Sequence, residues 1–194
     1  MLLNKPIKER VCKVCRAKFI PLKPLQSVCG LRCAQSYAWR EKTKTEVAKA
    51  KAERKEIRAK RESIKTRAQW MREAQVAFNK FIRLRDQIAG HACISSGQPL
   101  DWSGNNVDAG HYRSTGSAPH LRFDERNCHA QSKKDNRYLS GNAVDYRIGL
   151  IARIGLESVE LLEADQTPRK YTIIELKAIK AHYVSKLKEL RNGD

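Results

Sequence analysis

Between positions 108 and 136 the sequence carries an ordered set of side chains suited to cutting a phosphodiester bond. Asp108 precedes His111 by three positions, and Asn127, His129 and Asn136 follow. Imidazole titrates near neutral pH, so a histidine can take a proton from an attacking water. Carboxylate and amide oxygens are hard donors that suit Mg²⁺ or Mn²⁺. The set therefore predicts a metal-dependent nuclease centre.

Each of these residues has an expected role. His111 is the expected general base, and Asn127 is expected to orient either its imidazole or the strand behind it. Asp108 and Asn136 are expected to bind the cation, while His129 adds a further ligand or contacts a phosphate. Arginine holds phosphate through paired hydrogen bonds. We therefore expect Arg113, Arg122 and Arg126 to bind the phosphates that flank the cut.

Taken singly, these residues indicate little. A lone histidine is most often a surface group or a satisfied core group, and asparagines near turns are commonly there for the backbone. Only the ordered set, on a strand-then-helix outline in a basic chain, favours a nuclease. The alternative is a non-catalytic DNA-binding protein with a zinc module, in which the nuclease fold is degenerate.

Charge favours a nucleic-acid partner. The formal net charge is +18, and residues 1–70 hold 20 Lys and Arg against 6 Asp and Glu. Clustered cations bind polyanions through counterion release, whatever the base sequence. A ribosomal-type or simply soluble basic protein has the same charge balance, so charge alone does not decide between these classes.

Four cysteines near the start predict a structural zinc site. Cys12 and Cys15 are separated by two residues, Cys29 and Cys33 by three, and thirteen residues join the pairs. Such spacing suits tetrahedral zinc, with each pair on a tight turn and a short hairpin between them. Four unligated thiols are the alternative, although so small a segment has no other core. A closed four-Cys site does no chemistry itself.

Residues 37–67 contain no Gly or Pro and are rich in Lys, Arg, Glu and Ala, which favours helix. We expect a solvated arm that grips phosphates, although a linker helix with no binding role is the alternative. The same helix is expected to continue through 70–85 with a buried face and to end at Gly90. The phosphate contacts of the arm are assigned to Lys49, Arg54, Arg58 and Arg61.

The pattern predicts an α+β, mainly helical chain in three parts: a zinc module (1–36), the basic arm (37–67) and a ββα-metal nuclease domain with flanking helices (68–194). Short strands are expected at 91–95 and 106–112. Helices are expected at 143–154, where Val144, Ile148, Ile151 and Ala152 recur at helical spacing, and at 156–164. A capping box at Thr172 and Glu175 predicts a final helix packed on the core.

No apolar run is long enough to cross a membrane, and the first residues lack the apolar region of a secretory signal. Six cysteines without a signal indicate a reducing compartment. The cytosol is therefore the expected location.

Several separated motifs resemble the NinG (Rap) recombination endonucleases of lambda-like phages. They are FNKFIRLRD at 78–86, DAGHYR at 108–113, LRFDERN at 121–127, and YTI with KAIKA at 171–181. The resemblance covers nearly the whole chain and implies an HNH-like, structure-specific nuclease of phage origin, acting in the host cytoplasm. Its implied substrates are branched double-stranded DNA, such as Holliday junctions and D-loops. Cutting a four-way junction twice predicts a homodimer.

One departure from that family stands out. Its members can carry a second zinc site built from two Cys-x2-Cys pairs, but here only Cys93 remains, with Ser96 beside it and Ser132 and Asp135 in place of the second pair. Such a set is a poor zinc cage. Cys128 is expected to be a buried free thiol. The nuclease core is expected to hold together without the metal by packing of Trp102, Phe123, Leu139 and Tyr146.

Overall fold

The structure, a computed structural model, describes residues 8–193. The chain divides into two units, Met1–Ile64 and Lys65–Asp194. Helices dominate, and each unit also contains one small two-stranded antiparallel sheet. The predicted mixture of α and β structure is confirmed. The cysteine module and the basic helix fall within one unit.

The first unit contains a short hairpin and one long helix. Strands β1 (Arg10–Val11) and β2 (Lys18–Phe19) pair antiparallel, and α1 spans Leu31–Ser63. None of the residues of α1 is buried, as expected for a helix whose sequence has too few apolar positions for a packed face. The predicted basic helix is present, with Leu31 and Ser63 as its bounds.

The predicted continuous helix is wrong, because α2 (Arg67–Ile88) begins afresh at Thr66. The Thr66 hydroxyl accepts a hydrogen bond from the Gln69 backbone N–H at 3.3 Å, and Gln69 Oε1 accepts one from the Thr66 backbone N–H at 2.8 Å. This capping box satisfies N–H groups that have no partner within the helix. The helical composition on both sides concealed it in the sequence.

Helices α2 and α5 (Ile173–Asn192) build the main core of the second unit. The predicted buried face of α2 is confirmed, and so is the capping box of Thr172 and Glu175. Phe78 packs edge-to-face on Tyr183, with ring centroids 4.9 Å apart. Phe81 and Leu187 belong to the same buried cluster.

The second sheet consists of β3 (Val107–His111) and β4 (Cys128–Ser132), paired antiparallel. The strand predicted at 91–95 is wrong. That segment forms a turn, in which the Gly97 N–H donates to the Cys93 carbonyl at 2.9 Å, and it reaches the sheet through Ile94 N–H to Ala130 O at 3.1 Å. Strand β4 escaped the sequence analysis because its side chains are buried on both faces, including polar ones.

Between β4 and α3 lies a π-helical turn, Lys134–Tyr138, and α3 spans Ala143–Ile154. Helix α4 covers Leu156–Ala164, so both predicted helices are confirmed. The predicted apolar face of α3 is wrong at Val144, Ile148 and Ala152, which are exposed, whereas Ile151 packs against the cluster of the buried Tyr146 and Leu150. The reason is Gly149, where an added Cβ would lie 1.9 Å from the Ile94 carbonyl oxygen. The helix therefore packs against the 91–97 turn along that side.

Of the four side chains expected to pack in the second unit, two lie in its core, and Trp102 is only half-buried. Tyr146 is buried, and Phe123 packs between Phe78 and Tyr171. Leu139, however, is 49% exposed, because it follows the π-helical turn on the surface. Within residues 8–193 no helix combines the length and apolar character needed to cross a membrane.

Candidate functional site

The four cysteines of the first unit form a cluster that could hold a metal ion. Their sulfurs all lie within 4.8 Å of one another. Cys29 Sγ is 3.5 Å from Cys15 Sγ and 3.6 Å from Cys33 Sγ. Four sulfurs about 2.3 Å from a tetrahedral zinc would be roughly 3.8 Å apart, so the donor set and its spacing fit zinc.

The local fold explains how the sulfurs converge. Cys12 and Cys15 lie in the turn between β1 and β2, while Cys29 precedes α1 and Cys33 lies in its first turn. The backbone N–H groups of Val14 and Cys29 donate to Cys12 Sγ at 3.5 and 3.4 Å. Burial opposes ionisation of Cys12, but hydrogen bonds from the backbone outweigh it and lower the pKa of this thiol to about 6. A thiolate is the form that binds metal.

In the second unit, the predicted nuclease residues are divided between the two faces of the β3–β4 sheet. Side chains alternate along a strand, so Asp108 and His111, three positions apart, project from opposite faces. His111 pairs with Cys128 and Gly110 pairs with His129 in the register. His111 therefore shares a face with Cys128, and Asp108 shares one with His129.

Asp108 and Asn136 are brought together, as the sequence predicted. Asn136 Nδ2 donates to Asp108 Oδ2 at 3.0 Å. The guanidinium of Arg137 also grips this carboxylate, with Nε 2.8 Å from Oδ2 and a terminal nitrogen 3.3 Å from Oδ1. Burial raises the pKa of Asp108, but the bonds from Arg137 and Asn136 outweigh it and leave that pKa below its usual value. The carboxylate is thus ionised at neutral pH, with an arginine where a cation would bind.

His111 is the last residue of β3, and each nitrogen of its imidazole lies near another group of the fold. Its Nε2 lies 3.0 Å from the Arg122 carbonyl oxygen, and its Nδ1 lies 3.7 Å from Cys128 Sγ. Burial lowers the pKa of His111, so the neutral imidazole predominates at pH 7. Cys128 is fully buried, as predicted, and burial raises the pKa of its thiol well above the usual value. A thiolate–imidazolium pair is therefore disfavoured here.

Asn127 braces the loop between the strands rather than touching the imidazole. It is fully buried, and its Oδ1 accepts a hydrogen bond from the Arg113 backbone N–H at 2.8 Å. Its Nδ2 donates to the carbonyls of Arg113 and Leu121 at 3.0 and 3.2 Å. The Arg122 carbonyl that meets His111 follows Leu121 directly, so Asn127 fixes the segment that positions the histidine.

His129 is buried, and both of its ring nitrogens are engaged within the fold. Nδ1 lies 3.1 Å from the Arg85 guanidinium and 3.5 Å from that of Arg153, and Nε2 lies 3.1 Å from the Arg126 carbonyl. Burial, followed by the charge of Arg85, lowers the pKa of His129 to about 4. A cation at this ring would face two guanidinium groups. The structure does not bring His129 to Asn136.

The three arginines expected at flanking phosphates have different surroundings. Arg113 donates to the carbonyls of Leu162, Glu163 and Asp165, and so holds the end of α4. Arg126 forms a bidentate pair with Asp124. Arg122 has neutral partners and lines a cavity. On α1, the four predicted arm residues Lys49, Arg54, Arg58 and Arg61 are all exposed.

Hydrogen bonds join the residues that stand where the family resemblance implied a second zinc site. The Cys93 thiol donates to Asp135 Oδ2 at 3.2 Å, and the Ser132 hydroxyl donates to the same oxygen at 2.7 Å. Ser132 N–H in turn donates to Cys93 Sγ at 3.2 Å. Burial raises the pKa of Asp135, but hydrogen bonds, from Ser132 first, outweigh it. The sequence predicted that packing alone would replace the metal, and it did not predict this network of hydrogen bonds.

Comparison with known proteins places the chain in a class of bacteriophage proteins. Residues 4–193 match the family described as Bacteriophage Lambda NinG protein. Protein ninG of Escherichia phage lambda is 41% identical over 207 residues, covering 99% of this chain and 98% of the relative. Protein ninG of Salmonella phage P22 is 41% identical over 200 residues, covering 95% of each. No solved structure matches the chain. The chain belongs to the NinG family.

Proposed function

We propose that this chain is a divalent-metal-dependent endodeoxyribonuclease that cuts branched DNA, such as Holliday junctions and D-loops. The observation that carries the proposal is the placement of His111 at the end of β3. A carbonyl oxygen only accepts hydrogen bonds, so the contact with Arg122 places the ring hydrogen on Nε2. The neutral ring then has its lone pair on Nδ1, which is the form a general base requires.

In the proposed reaction, His111 Nδ1 takes a proton from a water molecule, whose oxygen attacks the phosphorus while the bond to the 3′ oxygen breaks. Asp108 and Asn136 would hold Mg²⁺ or Mn²⁺, and the bound ion would supply positive charge for the phosphate oxygens and the departing 3′ oxygen. Their oxygens suit either ion. Binding requires Arg137 to leave the carboxylate of Asp108, and a phosphate of the substrate is a natural acceptor for that guanidinium.

The remaining parts of the chain have binding roles in this proposal. The four-Cys cluster holds a structural zinc. Helix α1 carries eleven Lys and Arg against five Asp and Glu, and none of its residues is buried. In this proposal the helix contacts phosphates along branched DNA. Shape is then recognised through the backbone and not through base edges. Two chains related by symmetry would make the two cuts that resolve a junction.

One observation favours the second candidate, a DNA-binding protein without catalytic activity. Asp108 and His111 occupy opposite faces of the sheet, and Arg137 already neutralises the carboxylate. A reaction that uses both residues would need a DNA strand to cross the edge of the sheet, so that it meets side chains on both faces. A degenerate site has no such requirement.

Incubation of a labelled four-way junction with the purified protein separates the two candidates. The endonuclease nicks the junction when Mg²⁺ or Mn²⁺ is added, and it leaves a linear duplex of the same sequence intact. Binding to the junction without nicking in either metal would eliminate the enzyme and leave the DNA-binding protein. Equal cutting of junction and duplex would eliminate structure specificity.

A further inference from the structure

A cavity of about 800 Å³ opens in the second unit beside the start of α2 and the segment before α5. Five of its nine lining residues carry positive charge, and none is Asp or Glu. A cavity with this lining attracts anions. The five cations are Arg67, Arg72, Arg122, Arg169 and Lys170.

Arg122 is the member of this set that is partly buried, and its hydrogen-bond partners are neutral. Its guanidinium donates to Gln75 Oε1 and to the Thr115 carbonyl, both at 3.1 Å and both neutral. Its Nε is buried without a hydrogen-bond partner among residues 8–193. Burial lowers the pKa of Arg122 from its usual value. An anion bound nearby would stabilise the positive charge of Arg122.

Among the other four cations, Arg169 has a carboxylate partner. Arg169 donates to Glu175 Oε1 at 3.0 Å and lies over the Tyr171 ring, 4.9 Å from its centroid. The carboxylate of Glu175 also accepts from the Thr172 backbone N–H at 2.7 Å, so it is tied to the cap of α5. Arg67 and Lys170 are exposed. The cavity as a whole therefore retains an excess of positive charge.

Arg122 connects this cavity to the proposed base. The side chain of Arg122 lines the cavity, while its backbone carbonyl meets Nε2 of His111. Asn127 holds the preceding carbonyl, that of Leu121, at 3.2 Å. An anion bound by the Arg122 side chain would accordingly lie close to the segment that positions His111.

We propose that this cavity binds a phosphate group, and that its natural source is the backbone of a DNA strand near the cut. A free phosphate or nucleotide has the same chemistry and is the other possible source. The assignment to DNA rests on the proposed function, whereas the assignment to phosphate does not.

The test uses two double variants of the full chain that each remove two exposed charges. Arg67→Gln with Lys170→Gln alters the cavity, and Lys188→Gln with Arg191→Gln is the matched control near the other end of α5. Inorganic phosphate is the first probe, observed by the broadening of its ³¹P resonance at fixed ionic strength. The unmodified protein and the control should broaden the resonance equally, and the cavity variant should lose most of the effect. Equal broadening by all three proteins would overturn the phosphate site.

The second probe is a four-way junction without added Mg²⁺ or Mn²⁺, so that binding is measured without cutting. Because the cavity would hold one phosphate, losing that contact should reduce the slope of log K against log salt by about 1 in the cavity variant, since each neutralised phosphate contributes about 0.9. The control should keep the slope of the unmodified protein. Lost ³¹P broadening with an unchanged slope would overturn the DNA assignment and identify free phosphate or a nucleotide as the ligand. Absence of nicking would count against the nuclease but leave both binding results intact.

Discussion

Nε2 of His111 lies 3.0 Å from the carbonyl oxygen of Arg122, and this contact determines which nitrogen of the imidazole can act as a base. The carbonyl accepts, so Nε2 donates and Nδ1 keeps the lone pair. Nδ1 faces the Cys128 thiol at 3.7 Å. Because burial keeps that thiol protonated, it can donate weakly to Nδ1 but does not compete as a nucleophile.

The buried imidazole of His129 should make the second unit less stable in mild acid. In the folded state its pKa is lowered to about 4 by burial, then by Arg85 and Arg153 against the opposing charge of Asp86. In the unfolded chain it titrates near 6.5. The contribution of His129 to the free energy of unfolding is thus fully present above pH 6.5. It is lost as the pH falls toward 4, by roughly 1.4 kcal/mol per pKa unit. Chemical unfolding at pH 7 and pH 5 measures it. His129→Gln should flatten the dependence, and an unchanged dependence would contradict the assignment.

Arg137 should weaken cation binding at Asp108, because its guanidinium occupies the carboxylate. Arg137→Gln removes this competition and should tighten Mn²⁺ binding about tenfold, equivalent to roughly 1.4 kcal/mol. Electron paramagnetic resonance of free Mn²⁺ during a titration gives the affinity. Asp108→Asn should weaken binding at the same site. If Arg137→Gln leaves the affinity unchanged, Asp108 does not hold the cation.

Loss of one cysteine should abolish zinc binding by the four-Cys cluster. Cys15→Ser is expected to abolish binding of one zinc ion per chain, since a four-sulfur site loses a ligand and the small hairpin has no other core. Cys128→Ala is the matched control, because that cysteine is buried in the second unit and makes no contribution to the cluster. Zinc content by atomic spectroscopy is the measurement. Full zinc content in Cys15→Ser would rule out the four-Cys site.

The hydrogen-bond network at Asp135 should stabilise the second unit in place of a metal. Asp135→Ala leaves the buried donors of Cys93 and Ser132 without an acceptor, and it should lower the free energy of unfolding by about 1–3 kcal/mol. Asp145→Ala, at an exposed position of α3, should change it by less than about 0.5 kcal/mol. Urea unfolding distinguishes the two. Equal stability of both variants would show that the network is dispensable.

Local signals in the sequence were sufficient for most of the helices. The buried face of α2 follows from aromatic and small residues at helical spacing, and α5 follows from its capping box and apolar stripe. The turn that separates α1 from α2 is harder to see, because Thr66 and Gln69 lie within a continuous helical composition. Strand β4 was missed because His129 and Gln131 are polar yet buried.

The candidate site was predicted as a set of residues but not as a geometry. Spacing along the chain correctly brought Asn136 to Asp108. The strand predicted at 106–112 already contained both Asp108 and His111, so the alternation of side chains along it would have placed them on opposite faces. The cavity around Arg122 was invisible, because its cations come from segments far apart in the sequence.

The single-turnover rate of junction nicking in Mn²⁺, compared between the unmodified protein and His111→Ala, tests the proposed chemistry most directly. His182→Ala, on the exposed side of α5, serves as the histidine control. Loss of a general base should slow nicking by about 10²–10⁴-fold, with junction affinity unchanged and the control at the full rate. Nicking by His111→Ala at the rate of the unmodified protein would contradict the account, because the reaction would then use another base.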